Sequence, residues 1–490
     1  MNKIKQIAGQ TAIYGISSII SRLLNYLLTP LHVSVFIPSQ YGVITEMYAY
    51  VSFLIVFLTY GMETAYFRYS NKYNPDKVFS TASFSLFVTS SIFLLLVVLF
   101  KQNIASFIGY PNHTEYIIWF GIIIAVDAFN TIPYAKLRNE NKAVKFSIIR
   151  TLNIIINIAM NILFLVVLPY FYKNGYSWVK NIYNPEIGVG YVFIANLIAS
   201  ISTFLILLPE TLKGKLNFES RILKEMIIYA FPLLIGGVAG MINETLDRIL
   251  LKIYLPDYLN PMAQIGIYGA NYKLAILMTL FIQMFRYAAE PFFFANAKEK
   301  NSKQLYADIM KYFIVFGLSI FLFVMLYIDI IKAIIINPKY YEGIKVVPIL
   351  LMANLFLGIF FNLSVWYKIN NLTKFGAYLS VFGAIITIGL NILLIPQIGY
   401  LGAAWATFFC YFSTMTLSYL LSRKYYKINY DLKTIGIYFL VALLIYFIIT
   451  RINYTSQAMK YTINTILFLS FLSFAIYKEG LLKVILNKKR

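Results

Sequence analysis

Ten ionisable residues interrupt long apolar stretches of this chain: Arg22, Glu46, Glu63, Asp127, Glu244, Asp247, Arg248, Lys273, Arg286 and Glu290. A charge inside hydrocarbon is costly, so each marks a place where something is bound, exchanged or paired. A guanidinium or ammonium there suits an anion. A carboxylate there suits proton or cation exchange, because the neutral acid tolerates a low dielectric better than the carboxylate does. Other chemistry has little to work with. There is one cysteine, Cys410, inside an apolar run, and there are two histidines, His32 and His113. An internal disulfide is excluded, no metal centre is expected, and the histidines read as helix-end and loop residues. No Walker motif is present, and no catalytic residue is expected.

The elements that carry these charges are membrane helices. Apolar residues make up 60% of the 490 residues and charged residues 13%, with a mean hydropathy of +0.71. A soluble domain is about half apolar and a quarter charged. Apolar runs near 20 residues recur along the whole chain, each long enough to cross a hydrocarbon core about 30 Å thick. The expected fold is an all-α polytopic membrane protein with fourteen transmembrane helices. The first charged stretch, residues 1–10, is read as leading into a membrane helix rather than as a removed signal peptide.

Charge asymmetry orients the spans. Placing the first segment inside puts 27 of the 42 Lys and Arg residues in inside segments and 8 in outside loops. By the positive-inside rule both termini are then cytoplasmic, in a plasma (inner) membrane. The same asymmetry explains the net charge of +22. With no soluble domain to carry a basic stripe, nucleic acid is not an expected partner; membrane lipids are.

The chain repeats itself. "QYGVITEMYAY" from Gln40 is matched by "QIGIYGANYKLA" from Gln264, and "ETAYFRY" from Glu63 by "EPFFF" from Glu290. The turn "RNENKAVKF" after the fourth span resembles "YKINNLTKF" after the tenth, and "MNILFLVVLPY" from Met160 resembles "LNILLIPQIGY" from Leu390. Such repetition predicts two parallel six-helix bundles plus two C-terminal helices. The expected boundaries are 1–208 for the first bundle, 209–225 for a cytoplasmic linker, 226–422 for the second bundle, and 423–490 for the extra helices and tail. Six spans is an even number, so the halves point the same way and are expected to enclose a cavity near the midplane. The ionisable residues fall in spans 1, 2, 4, 7 and 8, which are the expected cavity lining.

Within the helices, Asn161 and Asn391 sit at matching places and are expected to lock helix contacts by amide hydrogen bonds. Pro169 and Pro396 are expected to end their helices, and Pro30 to mark a hinge in the first span. Gly402, Ala403 and Ala404 should let two helices pack closely. Gly236, Gly237 and Gly240 should do the same or serve as a bending point. Asp247 and Arg248, adjacent on one helix, are expected to find separate neighbours.

The pattern Asn-x-x-Leu-Ile-Pro-x-x-Gly-x-x-Gly-Ala-Ala-x-Ala-Thr from Asn391 to Thr407, and "YAFPLLIGGVAGMINETLDRILLKIYL" from Tyr229 followed by "IGIYGANYKLA", carry a family resemblance. They resemble the bacterial polysaccharide (O-antigen-type) flippases, within the superfamily that includes multidrug exporters and the peptidoglycan-precursor flippase. The resemblance covers nearly the whole chain. It implies alternating access and a substrate of lipid-linked oligosaccharide on an isoprenoid pyrophosphate, turned from the inner to the outer leaflet for surface polysaccharide such as capsule or lipopolysaccharide. A polysaccharide polymerase or chain-length machinery is an implied partner. On this view Arg22 is the foremost pyrophosphate contact, by bidentate hydrogen bonding. Lys273 follows, then Arg248 and Arg286. Arg22 can instead pair with a carboxylate such as Asp127. Asp127, Glu63 and Glu290 are the candidates for coupling to protons or sodium; no other cofactor is expected. The alternative function is a cation-coupled multidrug exporter. A membrane polymerase or ligase is disfavoured by short outer loops nearly free of acids and histidine.

Overall fold

The computed structural model describes residues 23–212, 217–297, 299 and 301–479. Arg22 lies outside the described residues. Among the described residues, every regular element is helical. Twelve helical segments are long and apolar enough to span a membrane. At the first expected span there is a shorter apolar helix, Leu23–Val35. At the twelfth there is a 26-residue helix, Tyr400–Tyr425, rich in Ser, Thr and Tyr. The polytopic reading holds; among the described residues twelve helices, against the fourteen expected, meet the length and apolarity of a span.

The chain forms two compact units, residues 1–266 and 267–490. In the first, α1 (Leu28–Val35), α2 (Pro38–Thr59), α3 (Met62–Ser70), α4 (Pro75–Leu99) and α5 (Lys101–Phe107) are followed by α6 (Thr114–Asn139) and α7 (Ala143–Ile162). Then come α8 (Leu168–Lys173), α9 (Gly190–Leu212) and α10 (Ser220–Tyr254). Helix α6 is the centre of this unit and packs on α2, α4 and α9, while α10 packs along α2 and α3. The unit boundary falls within α11 (Pro261–Tyr272).

The second unit contains α12 (Ile276–Ala295), α13 (Ser302–Leu326), α14 (Ile328–Ile335), α15 (Val347–Leu363) and α16 (Val365–Ile369). It continues with α17 (Lys374–Ile398), α18 (Tyr400–Tyr425), α19 (Leu432–Arg451) and α20 (Gln457–Lys478). Here α15 and α17 pack on α18, and α13 carries the last two helices, α19 and α20.

Glycines set the closest approaches. A Cβ on Gly42 would lie 1.9 Å from the Met262 carbonyl oxygen, and one on Gly266 would lie 1.9 Å from that of Pro38. Each glycine meets the residue four positions before the other, so the two Gln-x-Gly repeats cross reciprocally. Gly402 does the same in the second unit, 2.6 Å from the Leu394 carbonyl; the small-residue packing expected there is present. Gly237 closes on Val56 at 3.0 Å, whereas Gly240 has nothing within 4 Å.

The prolines behave differently from expectation. Helix α17 runs through Pro396 to Ile398 and stops at Gly399, whose φ of 58° is readily available only to glycine. So near a helix end, Pro396 removes only one ladder bond, and the Gly399 amide still reaches the Ile395 carbonyl at 2.9 Å. Pro169 is also passed: a π-turn at Leu163–Val167 widens the helix just before it, and α8 continues to Lys173. In the first span the helix is interrupted at Leu27, three residues before Pro30, where a proline frees the preceding turn. The second span breaks at Tyr60 and Gly61, both at positive φ, between α2 and α3.

Asn161 is fully buried, donates to the Asn157 carbonyl and side chain at 2.9 Å, and pairs with His32 Nε2 at 2.8 Å. It therefore ties α7 to α1, which gives buried His32 a structural task. Asn391 is equally buried but donates within its own helix, to Thr387 O at 2.7 Å.

Candidate functional site

Asp127 sits halfway along α6, partly buried, with Ser200 of α9 nearby. Tyr48 of α2, near Asn196 of α9, faces it from a third helix. One turn further along α6, Asn130 is buried with both amide atoms unpaired. On α7, Asn153 donates to Thr203 Oγ1 at 2.8 Å and to the Ala199 carbonyl at 3.1 Å. These groups form a polar band shared by α2, α6, α7 and α9. It can hold a proton or a small cation, with the carboxylate as the charged member and hydroxyl and amide oxygens as neutral donors of lone pairs.

Glu63 and Glu290 have a different character. Glu63 on α3 accepts from Arg138 Nη1 at 2.6 Å, and Glu290 on α12 accepts from Lys368 Nζ at 2.7 Å. The two cations occupy corresponding positions of the repeated turns, 230 residues apart, as do the left-handed Asn141 (φ 58°) and Asn371 (φ 57°). The closing bonds match as well: Lys142 N to Leu137 O at 2.8 Å and Leu372 N to Tyr367 O at 2.7 Å. Each unit thus carries one acid–cation pair beside the same turn. An aromatic ring backs each pair: Arg138 lies 5.0 Å over Phe67, and Arg286 lies 4.1 Å over Phe361. Arg286 also approaches Glu290 at 3.7 Å.

Arg248 binds its neighbour. Its Nη1 reaches Asp247 Oδ1 at 2.9 Å and the Glu244 carbonyl at 2.6 Å. The long guanidinium folds back along the helix, which adjacency of the Cβ directions does not prevent. Lys273 is half-buried in a 3-10 turn, Lys273–Ala275, between α11 and α12. The structure therefore groups Arg286 with Glu290 and Lys368, and Arg248 with Asp247, while Asp127 keeps to the polar band.

One centre lies apart from the expected site residues. Glu46 on α2 is fully buried and pairs with Lys252 Nζ of α10 at 2.9 Å. Tyr50 donates to it at 3.1 Å, and Tyr110 donates to its other oxygen. Matching depths of opposite charges would have found this pair. Glu46 lies near the start of the second span and Lys252 near the end of the seventh.

The second unit also holds an apolar cavity of about 400 Å³ lined by Met310, Ile314, Phe356, Phe412, Tyr430 and Phe439. Among the described residues, no group of three or more His, Cys, Asp or Glu is arranged to hold a metal ion.

Comparison with known proteins agrees with this architecture. A family model described as polysaccharide biosynthesis protein matches residues 35–294, more than half of the chain. An uncharacterized membrane protein of Methanocaldococcus jannaschii is 24% identical over 425 residues, covering 79% of this chain and 78% of that protein. Among solved structures, the lipid II flippase MurJ in an inward closed conformation matches with a TM-score of 0.73 at 17% identity, over 95% of this chain and 99% of that one. An inward-facing multidrug resistance MATE family transporter of the MOP superfamily matches with a TM-score of 0.62 at 14% identity, over 84% of this chain and 94% of that one. The fold is thus that of these transporters and flippases, and by its family match the chain belongs to the polysaccharide biosynthesis protein family.

Proposed function

We propose that this protein is a flippase that turns isoprenoid-pyrophosphate-linked oligosaccharide units from the inner to the outer leaflet of the plasma membrane by alternating access. The observation that carries the reading is membership of a polysaccharide biosynthesis family in a chain with a lipid II flippase fold. The in-span cations Arg22, Arg248, Lys273 and Arg286 supply positive charge for a pyrophosphate, and guanidinium groups match its oxygens bidentately. The apolar cavity of the second unit suits a hydrocarbon chain. With no ATP-binding motif in the sequence, drive comes from an ion gradient or from consumption of the product by a downstream polymerase.

Asp127 is the foremost coupling residue. Glu63 and Glu290 are the alternatives, but both are engaged by a cation beside a turn, an arrangement that serves packing. Both termini are cytoplasmic on this reading. A cation-coupled drug exporter is the second reading, favoured by the MATE likeness; the basic residues in the spans suit an anionic head group better. Deletion of the gene tests the proposal: lipid-linked glycan should accumulate on the inner leaflet, and an unchanged glycolipid distribution would refute it.

A further inference from the structure

Helix α10 is 35 residues long, about 50 Å at 1.5 Å per residue, yet it is held to the first unit mainly at its ends. Between Ala230 and Asp247 only Ala239 is buried, while Phe231, Leu233 and Ile235 are exposed. At its N-terminal end Glu225 accepts from Lys72 Nζ at 2.7 Å and from the Tyr73 hydroxyl at 2.8 Å. At its C-terminal end Lys252 enters a closed network. Its Nζ lies 2.9 and 3.0 Å from the two Glu46 oxygens. It donates to the Ile108 carbonyl at 2.6 Å and sits 4.0 Å over the Tyr110 ring.

The remaining acceptor positions of Glu46 are filled by the Tyr50 and Tyr110 hydroxyls. Burial, reinforced by the charge and hydrogen bond of Glu46, pushes the Tyr110 hydroxyl far above its usual range, so it stays a donor. Gly109, at φ +83°, brings the loop within reach; a Cβ there would meet Lys252 Nζ at 3.3 Å. If α10 leaves α2, Lys252 loses Glu46, the Ile108 carbonyl and the Tyr110 ring, and the buried Glu46 carboxylate keeps two tyrosine hydroxyls but no cation.

We propose that Glu46, Lys252 and Tyr110 form an ionic latch that holds the outer end of α10 on α2 and must open in each transport cycle, while Glu225 with Lys72 and Tyr73 holds the inner end. The two latches are unequal. Glu46 is fully buried and the Lys252 side chain is 22% exposed, whereas Lys72 and Glu225 are 57% and 27% exposed. Exposed pairs are screened by salt and water; buried ones are not. The resting protein therefore keeps the outer end closed, and a change that removes the outer network shifts the population toward the outer-open state by the difference in its contacts between the two states. This inference concerns the moving parts and does not depend on the identity of the substrate.

The test uses full-length protein in intact cells. Buried Cys410 is replaced by serine, and a reporter thiol is placed at Leu251, which is fully buried beside Lys252. Labelling by a membrane-impermeant maleimide is followed from outside. Glu46→Gln and Lys252→Met should each raise the labelling rate about tenfold or more, and the double variant should resemble the singles. Tyr110→Phe, which keeps the ring under Lys252 and removes one hydroxyl, should give a smaller rise of several-fold without threatening the fold. Lys72→Met should not raise labelling. The proposal fails if Tyr110→Phe and the charge variants, at normal abundance, label at the parental rate, or if Lys72→Met raises labelling as much as Lys252→Met does.

Discussion

Replacing Gly42 by alanine tests whether the reciprocal crossing of the two Gln-x-Gly segments is a point of fixed geometry. The new methyl would lie 1.9 Å from the Met262 carbonyl oxygen and 3.3 Å from the Gly266 amide nitrogen. Ordinary contact begins near 3.4 Å, so the backbones must separate by about 1.5 Å. The obstacle is backbone, not the end of a flexible side chain, so no rotamer change relieves it. Overpacking of this kind costs about 1–3 kcal/mol, and the rigid neighbours argue for the upper end. Gly266→Ala should cost a similar amount, because it meets the Pro38 carbonyl at the same 1.9 Å. The double variant should cost less than the sum, since one separation accommodates both methyls. Gly240→Ala is the control: nothing lies within 4 Å, and alanine favours the helix by about 1 kcal/mol. Thermal unfolding in nanodiscs reads all four variants. A Gly42→Ala protein as stable as the parent, or a strictly additive double variant, would refute the reasoning.

Other outcomes follow from the same geometry. Asp127→Asn should leave glycolipid binding intact and remove the response of flipping to an imposed proton or sodium gradient; an unchanged response in vesicles would make Asp127 a structural partner. Glu63→Gln breaks a half-exposed pair with Arg138, so its effect on stability should stay within about 1 kcal/mol by unfolding midpoint, and gradient coupling should persist. Asp431 caps α19 by accepting from the Thr434 amide at 3.0 Å, and the Thr434 side-chain and backbone hydrogen bonds hold its carboxyl below the usual range. A depressed folded-state pKa gives stability that is present above the unfolded value and lost as pH falls through the folded one. Hydrogen exchange in the first turn of α19 should therefore quicken under acid, and Asp431→Ala should cost about 1 kcal/mol at neutral pH and abolish that acid dependence.

How far the sequence led can be judged at particular residues. The spans were legible because hydropathy integrates over some twenty residues and needs no partner. Gly402 was legible because its missing Cβ acts at its own position. Pro396 was misread because a proline's effect depends on how many ladder bonds follow it, and here Gly399 ends the helix. The Asp247–Arg248 pair was missed because a flexible side chain defeats a rule about Cβ directions. Lys252 was missed as the partner of Glu46 because 206 positions separate them, and only the packing of α10 on α2 joins them. Glu63 and Glu290 were recognised as matching acids, but Arg138 and Lys368 become their partners only when each turn folds back beside them.

The central claim is that the substrate is an anionic glycolipid carried across the bilayer. Its most direct test is translocation of a fluorescent polyprenyl-pyrophosphate oligosaccharide in vesicles containing the purified protein. The account predicts that the protein speeds translocation, that Arg22→Ala abolishes it at normal reconstitution, and that Arg22→Lys retains part of it. Vesicles that move a cationic dye but leave the glycolipid in its original leaflet would contradict the account.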